Sequence, residues 1–269
     1  ALEKAKAIHA VRGREMIVFC LTRPCLQVNE NFSDHFVKVV QAGLPVLISA
    51  MPMAGISAPY SFHGVLAMTH AEVLFGICAA QLLRPGHTCI HAGFPTIADP
   101  RFEYNPNYGL RSHFVLNLLM SHLNMMLDLP TCQSACTTNE EHLTERALED
   151  TRIGHALCRK YGFHMIRHAF GFTKDLTALS FEKIEKTLGV FDETSADDAP
   201  AMIWSLMWSV IGKISWIAVR SEYPVLKHSW HPVPWRRTPV ADSPLASMNL
   251  KSSSPIFSRS LYFPITSPA

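Results

Sequence analysis

Short apolar runs alternate with longer stretches in which apolar residues recur every three or four positions. This alternation persists through most of the chain. The runs of strand length are Glu15–Leu21, Pro45–Met51, Thr88–Ala92, Pro130–Ser134 and Phe163–Ala169. Helical patterns occupy Asn31–Ala42, Phe62–Leu83, Leu110–Leu127, Glu140–Tyr161 and Ser180–Val190. Pro85-Gly86 and Gly162 stop two of these helices, and Asn139-Glu140-Glu141 and Ser180-Phe181-Glu182 start two others. Successive strands begin roughly 30 to 43 residues apart, the period of a βα unit with an extended loop after its strand. No hairpin signal interrupts the series, so the pattern predicts a parallel sheet. The fold class is α/β, a partial (β/α) TIM-type barrel of about five βα units. An open doubly wound sheet is the alternative, though no GxGxxG turn supports its dinucleotide-binding form.

Periodicity is lost after Asp192. Residues 1–192 read as an incomplete barrel domain, and 193–269 as an aperiodic tail holding all five tryptophans, many prolines and a serine-rich end. Ala199–Val219 has the length of a membrane span, but a core helix or a non-native extension explains it as well, and no membrane association is expected. Residues 220–269 have the composition of a disordered segment.

Composition adds few constraints. An apolar content of 48% suffices for a buried core. The net charge of +2 hides an asymmetry, since the first 200 residues carry 17 bases and 20 acids. A mildly acidic body argues against a nucleic-acid surface. Seven cysteines without a CxxC pair suit buried free thiols and a cytoplasmic location. The chain starts without Met on a charged helical pattern, Ala1–Ala7, which reads as a stretch of a longer polypeptide rather than a signal peptide.

In a barrel, chemistry belongs to the loops that follow the strands. Here these loops are unusually aromatic: Tyr60, Phe94, Phe102, Tyr104, Tyr108, Phe170 and Phe172, with Phe62 at a helix start, interleaved with Asp99, Arg101, Glu103 and Asp175. Ring faces around a cavity attract a quaternary ammonium with about 0.5 to 2 kcal/mol each, so a methylated amine would fit. The plainer reading is that many of these rings only pack the top of the barrel. His91 and His168, near two strand ends, are placed to point into the mouth and to serve as a carboxylate donor or an acid. Strand histidines are also often satisfied core groups. Cys132-x3-Cys136 lacks a third ligand at short spacing, so no metal is expected. Glu72, inside an apolar helix, reads as a polar anchor between helix and strand. No phosphate loop, nucleophile elbow or paired-carboxylate motif supports a kinase or hydrolase.

Several ordered motifs carry a family resemblance. Pro52-Met53-Ala54-Gly55-Ile56-Ser57-Ala58-Pro59, Ala71-Glu72-Val73-Leu74-Phe75-Gly76, Gln81-Leu82-Leu83-Arg84-Pro85-Gly86 and Gly93-Phe94-Pro95-Thr96-Ile97-Ala98-Asp99 resemble the trimethylamine:corrinoid methyltransferase family, over roughly Glu15 to Asp192. The resemblance implies a (β/α) barrel that presents a methylated amine to a corrinoid-binding partner protein, whose Co(I) takes the methyl group. On that reading Tyr60, Phe62, Phe94, Phe102, Tyr104, Tyr108 and Phe172 bind substrate, and His168 or His91 meets a carboxylate. Ala54, Gly55 and Ser57 form a small-residue loop open to the corrinoid. Trimethylamine members carry pyrrolysine in a post-strand loop that matches Cys136–Glu140 here, where there is none. The chain is therefore similar to the non-pyrrolysine branch, which acts on quaternary amines such as glycine betaine. A homo-oligomer is compatible with this reading. The alternative is a truncated, catalytically inactive relative or partner-binding fragment, with the aperiodic tail as its sign.

Overall fold

The computed structural model of the chain describes residues 2–12, 16–28, 30–109, 111–134 and 136–199. From Pro200 on, the apolar run Ala199–Val219 and the rest of the tail lie outside the described residues. Helix α1 (Leu2–Arg12) precedes β1 (Val18–Leu21), and α2 (Glu30–Gln41) leads to β2 (Val46–Ser49) and the two-residue β3 (Met53–Ala54). Helix α3 (Phe62–Leu83) leads to β4 (Cys89–His91), β5 (Thr96–Asp99) and β6 (Asn105–Pro106). Next come α4 (Arg111–Met126), β7 (Cys132–Gln133), α5 (Glu145–Lys160) and β8 (Met165–Ile166). A hairpin of β9 (Phe172–Thr173) and β10 (Ala178–Leu179) precedes α6 (Phe181–Glu193).

The strand-length runs pair in chain order. β1 lies parallel to β2 with Val18 opposite Val46, and β2 parallel to β4 with Val46 opposite Cys89. A parallel bridge from His91 to Thr131 carries β4 onto the β7 segment, and β7 pairs in parallel with β8, Cys132 opposite Met165. The order β1-β2-β4-β7-β8 never reverses direction, whereas a doubly wound sheet must reverse at its switch point. The chain is thus α/β with parallel strands added sequentially.

Two expectations need correction. Antiparallel pairs do occur, β5 with β6 and β9 with β10, and β3 runs parallel to β5. Ladders this short cannot write a period-2 pattern into the sequence. They tie the post-strand loops to one another. Helix α5 begins at Glu145 rather than Glu140, because the Thr144 hydroxyl accepts the Ala147 N–H at 3.1 Å and caps it. Residues 139–143 remain a loop that bonds to other loops.

The main apolar core lies between β2 and its two flanking helices. Phe36, Val39 and Val40 of α2 and Val73, Ile77 and Ala80 of α3 pack on Val46 and Ile48. Each such side chain contributes about 1.5 to 3 kcal/mol on full burial. Gly76 sets the approach of α3, since a Cβ there would stand 2.8 Å from Ile48 Cγ2. By length and composition α3 could cross a membrane, but its buried face, including Val65, Leu66, Thr69, Val73 and Ile77, is that of a core helix. Glu72 on that face accepts the Leu26 N–H at 2.7 Å and so anchors the loop after β1 to α3. Burial pushes its carboxyl above the usual carboxylate range.

Candidate functional site

The C-terminal ends of the parallel strands converge on Arg167. Its backbone N–H donates to the Gln133 carbonyl at 2.8 Å, which extends β8 by one residue. Its side chain then crosses the sheet. Nη1 donates to Ser49 Oγ at 3.0 Å, Nη2 to the Ala92 carbonyl at 3.1 Å, and Ser49 Oγ donates to the same carbonyl at 2.7 Å. In a flat sheet β8 would lie three spacings from β2, about 14 Å at ~4.8 Å per strand and beyond an arginine's reach. The sheet is therefore curved, with these strand ends drawn together.

The guanidinium carbon sits 5.0 Å from the centroid of Phe94. Nε is buried without a partner, and among the described residues no carboxylate is within ion-pair distance of Arg167. Burial lowers its pKa, since desolvation penalises the charged form. A guanidinium has five N–H donors, and only two are spent here.

Phe94 is the hub of the ring cluster. It is fully buried, stacks on Tyr108 at 5.4 Å, and meets His113 edge-on at 5.0 Å and His168 at 5.6 Å. His168 also meets Phe172 at 5.2 Å. Of the proposed substrate ligands, Phe94, Tyr108, Phe172 and His168 thus come together. Phe94 and Tyr108 are packed into the core, while Phe172 and His168 are half-buried at its edge. The His168 ring has Nδ1 2.9 Å from Ser134 Oγ, and burial beside the Arg167 cation holds its pKa at about 4. At neutral pH it is a neutral imidazole, suited to donating one hydrogen bond rather than to acting as an acid.

The other expected ligands are placed elsewhere. Tyr60 is exposed, with its ring against Gly55, whose φ of +92° and crowding by Tyr60 Cδ2 leave no room for a Cβ. Tyr104 is exposed beyond the Asp99–Arg101 ion pair. Phe62 is half-buried at the start of α3, and the Phe102 side chain lies outside the described set. In the small-residue loop Gly55 is exposed, Ala54 is buried, and Ser57 Oγ accepts the Met53 N–H at 2.8 Å.

His91 does not point into the mouth, which corrects the sequence reading. It pairs with Ile48, and partners in a parallel ladder share a face; Ile48 faces α3. His91 Nδ1 accepts the Gly93 N–H at 3.2 Å, which leaves the proton on Nε2, 3.1 Å from His70 Nδ1. Both nitrogens are engaged within the fold.

Arg167 and His113 were missed from sequence. The signal for Arg167 was an arginine inside a strand-length run next to apolar Met165 and Ile166, where a charge needs a reason. His113 offered no signal beyond a polar position on a mostly buried helix. Its ring bonds to Pro95, and burial lowers its pKa to about 3.

The loop Cys136–Glu140 is stitched to this cluster. Thr137 Oγ1 donates to the Tyr108 carbonyl at 2.8 Å, Asn139 bonds to Asn107 and Gly109, and Thr138 receives the Asp175 N–H at 3.2 Å. Asp175 in turn accepts the Tyr108 N–H at 3.0 Å. Burial and this carboxylate push the Tyr108 phenol up to about 12. Among the described residues no group of three His, Cys, Asp or Glu could hold a metal ion.

A family model described as trimethylamine methyltransferase (MTTB) matches residues 9–190. The glycine betaine methyltransferase of Desulfitobacterium hafniense (strain Y51) is 23% identical over 158 residues, 59% of this chain and 33% of that protein. Trimethylamine methyltransferase MttB of Methanosarcina thermophila is 35% identical over 83 residues, 31% of this chain and 17% of that protein. The L-carnitine:corrinoid methyltransferase of Eubacterium limosum is 28% identical over 83 residues, covering the same shares. The chain therefore spans a third or less of the length of these curated relatives. With a match that takes in the parallel strands, Arg167 and the ring cluster, this chain belongs to the trimethylamine methyltransferase (MTTB) family.

Proposed function

We propose that the protein takes a methyl group from a quaternary amine of the glycine betaine class and passes it to a corrinoid carried by a partner protein. The observation that carries this reading is Arg167, a half-buried cation whose Nε is enclosed, with spare N–H donors and no carboxylate partner among the described residues, set beside neutral His168 and the half-buried edge of Phe172. Arg167 and His168 would bind the carboxylate of a betaine, and the rings of Phe94, Tyr108 and Phe172 would favour its ammonium end. The sequential strand order and the curvature required by Arg167 support a (β/α) barrel arc, in which such a site lies at the C-terminal face.

The loop that would hold pyrrolysine in the trimethylamine branch is Cys136–Glu140 here, which favours quaternary amines over trimethylamine. A corrinoid in its Co(I) form supplies the nucleophile that accepts the methyl group. The chain's share is to hold the substrate in line and keep water out. Gly55 and Ile56, exposed on the turn after β3, fit a surface facing the corrinoid. The same reading places the enzyme in a reducing cytoplasm.

The test mixes the protein with cob(I)alamin and a panel of betaines and follows methylcobalamin absorbance. Betaine-dependent growth of that absorbance is expected. A folded protein that transfers no methyl group from any of them overturns the proposal and is the result an inactive relative predicts.

A further inference from the structure

Arg167 and His168 are consecutive, and in a continuing strand their side chains would leave on opposite faces. Both nevertheless reach Phe94, the guanidinium carbon at 5.0 Å and the imidazole at 5.6 Å from the ring centroid. The chain turns out of the strand at His168, whose φ of +54° lies in the left-handed region. That turn breaks the alternation and lets the two side chains share one side.

The imidazole is then aimed by its neighbours. Phe94 and Phe172 meet it at interplanar angles of 64° and 80°, edge contacts that hold the plane of the ring but do not choose which nitrogen carries the proton. Ser134 makes that choice. Its Oγ stands 2.9 Å from Nδ1, and the residue is fully buried just past β7. Its N–H donates to Asn117 Oδ1 at 3.3 Å, and Asn117 Nδ2 donates to the His113 carbonyl at 3.0 Å, so the Ser134 backbone is tied to α4.

A neutral imidazole carries one proton, on either nitrogen. With the proton on Nδ1, the Ser134 hydroxyl would accept it and its own proton would find no acceptor among the described residues, since His168 Nδ1 is the one partner of this oxygen there. A buried donor left unmade is the costlier arrangement. With the hydroxyl donating instead, the ring proton lies on Nε2, which no described residue engages on this half-buried side chain.

We propose that Ser134 is a positioning residue whose hydroxyl donates to His168 Nδ1, fixes the ring as its Nε2–H tautomer, and so presents that N–H as a donor to a carboxylate oxygen beside Arg167. The carboxylate as ligand rests on the betaine reading above, whereas the tautomer does not. The ring keeps its proton throughout and acts only as a donor, adding to the free N–H groups of Arg167 a neutral contact that an ammonium group cannot accept.

The test labels the histidines of the ligand-free protein with the heavy nitrogen isotope and reads long-range proton–nitrogen correlations at neutral pH, with the His168 signals identified by their loss in His168→Gln. The native protein is expected to show a bare Nδ1 and a protonated Nε2. In Ser134→Ala an Nδ1–H population should appear. Calorimetry on the same variant should show glycine betaine bound about tenfold more weakly, with tetramethylammonium affinity changed less than about twofold. A proton on Nδ1 or on both nitrogens in the native protein overturns the assignment, as does an unchanged tautomer in S134A. An equal loss of both ligands in S134A also overturns it, because a merely structural residue would give that result. The native spectrum decides the tautomer whatever the variant does. It is read without ligand, so a native protein that binds no betaine refutes the proposed function and leaves Ser134 to be judged on the spectra.

Discussion

Replacing Arg167 by glutamine removes the cation while keeping a side chain able to bond to Ser49 Oγ. If the guanidinium binds the carboxylate of a betaine, Arg167→Gln should weaken glycine betaine binding about 100-fold, the ~2.7 kcal/mol of a hydrogen bond to a charged group. Tetramethylammonium has no carboxylate, and its affinity should change less than about twofold. Calorimetry with both ligands separates the roles, because an equal loss for both would mean that Arg167 only holds the strand ends together. His168 was visible in the sequence as a polar residue at a strand end. Arg167, its immediate neighbour, was not, because its meaning comes from Ser49 and Ala92, 118 and 75 residues away. His91 failed for a related reason: a strand's two faces are distinguishable only once a helix packs on one of them.

Helix α3 and strand β2 meet at Gly76, where alanine brings opposing effects. It would raise helix propensity by up to about 1 kcal/mol, but its Cβ would press on Ile48, a fully buried β-branched side chain with little freedom to move. Overpacking wins, and Gly76→Ala is expected to destabilise by about 1 to 3 kcal/mol, read as a lower Tm with an unchanged far-ultraviolet spectrum. At α5, Thr144→Ala should cost about 1 kcal/mol in urea denaturation, because the Ala147 N–H loses the hydroxyl that caps it. The long helices were legible because their apolar spacing spans several turns. The two-residue ladders β3–β5, β5–β6 and β9–β10 were not, since each is fixed by a partner loop rather than by its own pattern.

Seven histidines, His70, His87, His91, His113, His122, His164 and His168, are held below their ordinary pKa, with burial the largest cause in each case. The unfolded chain protonates them near about 6.5, so below that pH it binds more protons than the folded chain and stability falls. This contribution is complete above about 6.5 and is lost as pH drops toward the folded values, about 4 for His168 and about 3 for His113. Glu72, Asp150 and Asp175 are shifted upward and act in the opposite sense, but from the carboxylate range near about 4, which leaves the upper part of the window to the histidines. The urea midpoint should therefore be lower at pH 5.5 than at pH 7.5 by about 1 M or more. An equal or higher midpoint at pH 5.5 would contradict the burial of these rings.

The amino-acid order alone settled the α/β class, the sequence of five strand-length runs, the long helices and, through its motifs, the family. These are properties of neighbours along the chain: apolar spacing, caps and breakers act over a few residues and need no partner to be read. Which rings meet, which way His91 turns and what Arg167 holds required the folded chain. Those contacts join residues tens of positions apart, and their energies come from burial and unmet charge, which exist only after the strands have curled together.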